Sequence, residues 1–398
     1  MTMTIWKNKG LNLLLIAGSI LASLLLCEGL VRIIYTPADI HPAHPAVDDV
    51  LGHRINPHES GHDSRGFRNA DDTGDFQVVC IGDSFTYGDG VPRKSAFPQQ
   101  LGRTIRQKVY NMAMGGYGPV QYYYLISRAM ELHPRKIIIT FYLGNDLLDA
   151  YYMVERHDYW KWLASGLGPE NQLASISPCD LPCKPAVEVD LFYAPEIITL
   201  RLKESGSFLF RLHSFLRLNS AFYSLQYAGI TKPLIQKFFE REQHLQHPGA
   251  FACKEVDTIF TPGTNLRRVD LADHRVRQGA LITRRIIHLM VEGRYPMKDL
   301  LLAFMPTKEA VYYHCLKSKG ISLPNEYTCS IYYERELTKW LTGVTTAAGL
   351  QAVDLFPLLD NAVLQGQKLY HSSSDGHLNK VGNSLVAAHL AQVLEKSR

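Results

Sequence analysis

The sequence predicts an α/β protein with a doubly wound parallel sheet. Three observations carry the prediction. Short, largely β-branched or aliphatic runs recur: "FQVVCIG" at 76–82, "VYNMAM" at 109–114, "KIIITFYLG" at 136–144, "DLLLAFMP" at 299–306 and "LQAVDLF" at 350–356. Helical stretches lie between them, which is how parallel strands buried on both faces are connected. Polar, glycine-rich clusters follow several of the strands, where an open α/β sheet keeps its chemistry.

The chain of 398 residues is 46% hydrophobic and 20% charged, with a formal net charge of +4. That length allows one large core with an inserted region. The basic residues are scattered and form no stripe, which argues against a nucleic-acid partner.

Residues 1–35 differ from the rest. No charged residue occurs from Leu11 to Cys27, and Lys7 and Lys9 precede the run. This is long enough to cross a bilayer as a helix. The lysines keep their end in the cytoplasm and send the rest outside, to the periplasm or cell surface. A cleaved signal peptide would need small residues at its cleavage site, and "LLLCEGL" offers Leu26 instead. The same leucine disfavours lipid attachment at Cys27. The expectation is therefore an uncleaved, single-pass anchor. Glu28 and Arg32, one helical turn apart, should pair near its outer end.

Residues 36–75 are rich in His, Pro, Asp and Gly and predict a linker that settles on the domain near "DSRGFRN" (63–69). His41, His44, His53, His58 and His62 crowd it, but their irregular spacing without a nearby cysteine fits a solvated linker better than a metal site.

Residues 76–398 read as one α/β domain. Its first helices are "AFPQQLGRTIRQK" (96–108) and "PVQYYYLISRAMEL" (119–132). Its last lie near 274–292, at "YYERELTKWLTGVTTAAG" (332–349) and at "KVGNSLVAAHLAQVLEK" (380–396). Between 150 and 272 the alternation stops, which predicts an inserted lid. The insertion holds an aromatic run, "YYMVERHDYWKWL", and a helical stretch, "SFLFRLHSFLRLNSAFYSLQY", with Arg211 and Arg217. Such a helix either touches a membrane surface or packs the lid onto the sheet, and its period favours packing.

Of seven cysteines, Cys27 lies in the anchor and Cys80 on the first strand, where a buried thiol fits. In an oxidising compartment some of the others should pair. Cys315 and Cys329 bracket a turn-rich loop and are the expected bridge. Cys179 and Cys183 either close a tight loop or send one partner to Cys253. A zinc site would need a second matching pair.

The chemistry gathers at strand ends. "GDSFTYGDG" places Ser84 after the first strand, and "NMAMGGYG" places Gly115 and Gly116 after the second. "GND" places Asn145 after the third, and "SSSDGHLN" brings Asp375 and His377 just before the last helix. In a parallel sheet these ends share one edge. A serine nucleophile there would need a base, an orienting acid and oxyanion donors.

With these four blocks in this order, the chain resembles the SGNH/GDSL hydrolase family over roughly 76–150 and 295–396. The resemblance implies a flavodoxin-like sheet, Ser84 as nucleophile, His377 as base and Asp375 as its partner. It also implies an oxyanion hole of the Ser84 amide, the Gly116 amide (five residues after Asn111) and the Asn145 side chain. Many members separate Asp and His by two residues, whereas here only Gly376 intervenes. Some extracytoplasmic relatives, including those that acetylate alginate, share the shorter spacing. Residues i and i+2 of an extended segment point to one side, so pairing is feasible. The anchor and "DSRGFRN" also resemble bacterial membrane-anchored members.

The implied activity is ester hydrolysis through a Ser-His-Asp triad, needing no metal or cofactor. The expected substrate is an acylated, foremost O-acetylated, cell-envelope or exported polysaccharide, since aromatic faces can stack on sugars. Two alternatives stay open: a polysaccharide O-acetyltransferase using the same triad, and a non-catalytic glycan-binding or assembly protein on this fold.

Overall fold

The computed structural model describes residues 2–34, 45–70, 73–167, 173–183, 208–226, 251–293 and 299–396. Of the expected lid, 168–172, 184–207 and 227–250 lie outside the described residues, as do His41, His44 and the Arg217 side chain.

The chain begins with helix α1 (Thr2–Ile34) and a hairpin of β1 (Ala46–Asp48) and β2 (Gly52–Arg54). Next come β3 (Val78–Gly82), the single-turn α2 (Ser84–Tyr87), α3 (Phe97–Ile105), β4 (Val109–Ala113) and α4 (Pro119–Met130). They are followed by β5 (Lys136–Tyr142), α5 (Asp146–Arg156), α6 (Phe208–Asn219) and α7 (Ala221–Gln226). A second hairpin, β6 (Phe251–Cys253) and β7 (Thr258–Phe260), precedes α8 (Pro262–Val269) and α9 (His274–Glu292). The chain ends with β8 (Leu300–Met305), α10 (Lys308–Ser318), α11 (Asn325–Ala347), β9 (Gln351–Asp354), α12 (Phe356–Leu364) and α13 (Lys380–Lys396).

Five strands form a parallel sheet in the order β4-β3-β5-β8-β9. This is the doubly wound order in which the first strand sits between the second and third. Val78 stands opposite both Val109 and Lys136, and Ile139 opposite Leu302. β3 and β8 are buried throughout because both sheet faces are covered. Val78, Cys80, Ile138, Leu301, Ala303 and Met305 share one core with Phe97 and Leu101 of α3, Ala310 of α10, Leu359 of α12 and Leu390 of α13. Alternate residues such as Val79, Ile81 and Ile137 point to the opposite face. There α4, α5 and α9 pack together. A Cβ at Gly279 of α9 would collide with the Leu147 carbonyl of α5, so only glycine allows that close approach.

The chain divides into two compact units, 45–189 with 243–398, and 1–44 with 190–242. The flanks of the expected lid, 150–189 and 243–272, therefore belong to the sheet unit.

Of the linker expected over 36–75, residues 36–44 and 71–72 lie outside the described residues. Residues 45–70 are built into the sheet unit, with Ile55, Phe67, His62, Asp63, Arg68 and Asn69 buried. Polar composition here signals a buried hydrogen-bond network rather than solvation. Asp63 accepts from the backbone amides of Arg65 and Phe67, from Asn69 Nδ2 and from the Tyr110 hydroxyl on β4.

The cysteine expectation is also revised. Cys315 is a buried free thiol inside the sheet core, and Cys329 of α11 instead faces the 179–183 segment. Both Cys179 and Cys183 lie within disulfide reach of Cys329. A sulfur takes one disulfide partner, so these bridges are alternatives. Cys253 and Cys80 are buried free thiols.

In the smaller unit, Leu14–Ile34 of α1 is long and apolar enough to cross a membrane, with mean hydropathy 2.2. The same test is passed by signal sequences.

Candidate active site

The site begins where β3 runs out. Asp83 ends the extended backbone, and its Oδ1 accepts from the Phe85 amide at 2.9 Å, capping the single turn of α2. The cap leaves Ser84 as the first residue of that turn. Gly88 closes it with φ 88°, in the left-handed region that favours glycine. A Cβ at Gly82 would strike the Thr86 side chain, so the glycine before Asp83 keeps the turn tight.

The buried 62–69 segment supports the turn from behind. Arg68 donates to the carbonyls of Gly88 (2.8 Å) and Val91 (3.1 Å). Asn69 exchanges hydrogen bonds with the Asn111 backbone, and Asn111 Nδ2 donates to the Thr86 carbonyl at 2.9 Å. The Tyr87 hydroxyl and His62 Nε2 are 2.9 Å apart.

Ser84 Oγ lies 2.8 Å from His377 Nε2, although 293 residues separate them in sequence. His377 Nδ1 donates to Asp375 Oδ1 at 2.7 Å, and the His377 amide donates to the same oxygen at 2.9 Å. The one-residue spacing therefore lets one carboxylate oxygen hold both backbone and ring. The ring also leans on Phe85, which packs at a tilt against Tyr142. The His377 and Asp375 side chains are 25% and 31% exposed, enough for a substrate to reach the edge.

The electrostatics follow from this packing. Burial opposes an imidazolium, but the Asp375 hydrogen bond and charge, aided by Asp89 and Asp83, raise His377 to about 9. Burial likewise opposes ionisation of Asp375, yet His377 holds it well below the usual carboxylate range. Asp83, wholly buried, is pushed up by desolvation.

The remaining expected residues occupy the same sheet edge. A Cβ on Gly115 would lie 3.8 Å from Ser84 Cβ, so this glycine is the one against the serine. Gly116 adopts φ 80° and lies against the His53 ring. Asn145 is the N-cap residue of α5, and its Nδ2 donates to Asp149 Oδ2 at 2.7 Å. Burial, with the Asp83 charge, outweighs Arg268 and the Asn145 hydrogen bond and pushes Asp149 up to about 7.

Two positioning residues were missed from sequence. His53 Nε2 donates to the Gly115 carbonyl at 2.9 Å, and the Tyr117 hydroxyl donates to the His53 carbonyl at 2.9 Å. The β1–β2 hairpin thus grips the glycine loop from outside. Lys308 is 1% exposed, and its Nζ donates to the carbonyls of Ile259 (2.8 Å), Ser373 (2.9 Å) and Asp375 (3.1 Å). It pins the triad loop to the β6–β7 hairpin. A signal existed: Thr307, Lys308 and Glu309 directly follow β8, at the edge where the other clusters gather.

Among the described residues, Cys179, Cys183 and Cys329 have sulfurs within 4.8 Å of one another and could hold a metal ion. No triad residue belongs to that group.

No family model matches the chain, and no curated protein does. Two of the solved structures similar to it are these. One is a protein named for the lipolytic G-D-S-L family, from Desulfitobacterium hafniense, at 14% identity and TM-score 0.33, covering 79% of this chain and 98% of that one. The other is a crystal structure at 10% identity and TM-score 0.34, covering 81% and 98%. Likenesses this distant add nothing to the geometry above.

Proposed function

We propose that the chain is a serine esterase of the SGNH/GDSL type, anchored by α1, with its sheet unit outside the cytoplasm. Acyl esters, foremost O-acetyl esters of an envelope or exported polysaccharide, are its proposed substrates. The observation that carries this reading is the unbroken relay from Ser84 Oγ through His377 to Asp375.

In that relay His377 Nε2 takes the Ser84 proton as Oγ attacks the ester carbonyl. Asp375 fixes the ring and stabilises its charged form. The amides of Ser84 and Gly116, with Asn145 Nδ2, are the proposed oxyanion donors. One such donor is worth about 3 to 4 kcal/mol of barrier. His377 then returns the proton to the departing alcohol. A water, deprotonated by the same ring, releases the acyl group from Ser84.

Tyr159 and Trp162, 54% and 42% exposed, offer ring faces of the kind on which sugars stack, which supports a glycan substrate. Retention of α1 is supported by its contacts with residues 220–225, because a leader cleaved near Glu28 would forfeit them.

The test is turnover of an aryl acetate and of an acetylated glycan by detergent-solubilised full-length protein. Ser84→Ala and His377→Ala should each lower kcat/KM on the order of 10⁴-fold or more, and the double variant little further, because the two act as a unit. Glycan binding without turnover in the folded wild type would favour a binding protein. Acyl transfer to a glycan hydroxyl in preference to water would favour a transferase.

A further inference from the structure

Helix α6 carries an apolar stripe that is largely exposed. Phe208, Leu212 and Phe215 are 74%, 40% and 60% exposed, and Arg211 beside them is also exposed. Positions 208, 211, 212 and 215 fall on one helix face. Two exposed phenylalanines and a leucine in one row are the usual mark of an interaction surface.

The occupant is indicated by what this helix is attached to. Directly after α6, the chain docks on the outer end of α1. The Glu28 carboxylate accepts from Ser220 Oγ (2.9 Å), from the Ala221 amide (2.8 Å) and from the Phe222 amide (3.0 Å). Arg32 Nε donates to it as well, at 2.7 Å. An acidic side chain in an apolar helix is costly unless its acceptors are filled. Here they are filled by the start of α7. Val31 and Ala221 are buried together, with Phe222 and Leu225 packed on them.

Glu28 precedes Ile34, the end of the apolar segment, by six residues, roughly 9 Å along the axis. If α1 spans a bilayer, the α6–α7 junction is therefore held about 9 Å inside the end of the span. That is the depth at which amphipathic helices lie, buried about 5–10 Å. Ile33 and Ile34 at the same end of α1 are likewise exposed.

We propose that α6 lies in the outer interfacial layer of the bilayer that α1 spans. Phe208, Leu212 and Phe215 enter the acyl chains, and Arg211 meets the phosphates, its stem lying along the apolar layer. The proposal rests on the reading of α1 as a retained anchor. It adds a second attachment that fixes the orientation of α6 and α7 relative to the membrane.

The test places a diazirine amino acid, one site at a time, at Leu212, Phe215, Leu21 and Val47 of the full-length protein in phosphatidylglycerol–phosphatidylethanolamine vesicles. Leu21 reports the span, and Val47, 87% exposed in the sheet unit, reports water. Lipid adducts at Leu212 and Phe215 comparable with those at Leu21, and several-fold above Val47, are the expected result. Adducts at Leu21 with only the Val47 background at Leu212 and Phe215 would overturn the interfacial helix and leave the anchor standing. Absence of adducts at Leu21 would overturn the anchor and the proposal together. Cross-linked protein dimers from Phe215 without lipid adducts would overturn the proposal in favour of a second copy covering the stripe.

Discussion

Lys308 Nζ donates to the backbone carbonyl of Asp375 at 3.1 Å, so a buried ammonium holds the loop that carries both the proposed acid and the proposed base. Lys308→Met keeps the length and removes the donors. It leaves the carbonyls of Ile259, Ser373 and Asp375 without that partner, which should cost roughly 1 to 3 kcal/mol of stability. Turnover of an aryl acetate should fall about 10- to 100-fold in kcat with a smaller change in KM, since misplacing a catalytic group by about 1 Å has effects of that order. Unchanged kcat in a destabilised variant would make Lys308 structural only.

His53 should behave as a positioning residue of the glycine loop. His53→Ala removes the donor to the Gly115 carbonyl and should lower kcat roughly tenfold while sparing KM, because the loop matters most once charge develops on the bound oxygen. His53→Gln keeps a donor and should recover part of the loss. Equal kinetics for the two variants would dissociate the hydrogen bond from catalysis.

The pH dependence has a fixed sign. His377 accepts the serine proton only when neutral, so kcat/KM should rise with pH as the imidazolium titrates, toward a plateau above about 9. Asp375 is what raises His377 against its burial. Asp375→Asn should therefore move the rising limb to lower pH while lowering the plateau. A pH–rate profile of both proteins checks this, and an unmoved limb would mean that another group is being titrated.

Peptide mapping under non-reducing conditions should find Cys329 joined to Cys179 or Cys183, with Cys80 and Cys315 alkylated as free thiols. Metal analysis of the same sample tests the other use of the three sulfurs. A Cys315–Cys329 bridge would contradict the packing of α10 and α11.

The sheet and the meeting of Ser84, His377 and Asp375 at its edge were legible in the sequence for different reasons. β3, β5 and β8 are buried on both sides, so their apolar runs announce strands without tertiary information. Ser84, Asp375 and His377 sit in short clusters of polar and glycine residues, and parallel order alone puts strand ends on one edge. His53 was not legible because it acts on a carbonyl 62 residues away and belongs to a type common on any surface, and the position of Lys308 just after β8 did not reveal that it reaches a carbonyl 67 residues away. The buried network of His62, Asp63, Arg68 and Asn69 was not legible because polar composition is the same in a buried network and in a solvated segment. Turn chemistry between Cys315 and Cys329 suggested a local bridge, but it says nothing about which helix face each cysteine occupies. The α6 period was readable from sequence. The attachment of Ser220 to Glu28 was not, because it is a contact across 192 residues.

The central claim is that Ser84 is a nucleophile activated by His377. Its most direct test is reaction of the folded, full-length protein with a fluorophosphonate, followed by mass mapping of the adduct. The account predicts near-stoichiometric phosphonylation of Ser84 in the wild type, and loss of that labelling in His377→Ala. A folded wild-type protein whose Ser84 stays unmodified, or is modified equally fast without His377, would contradict it.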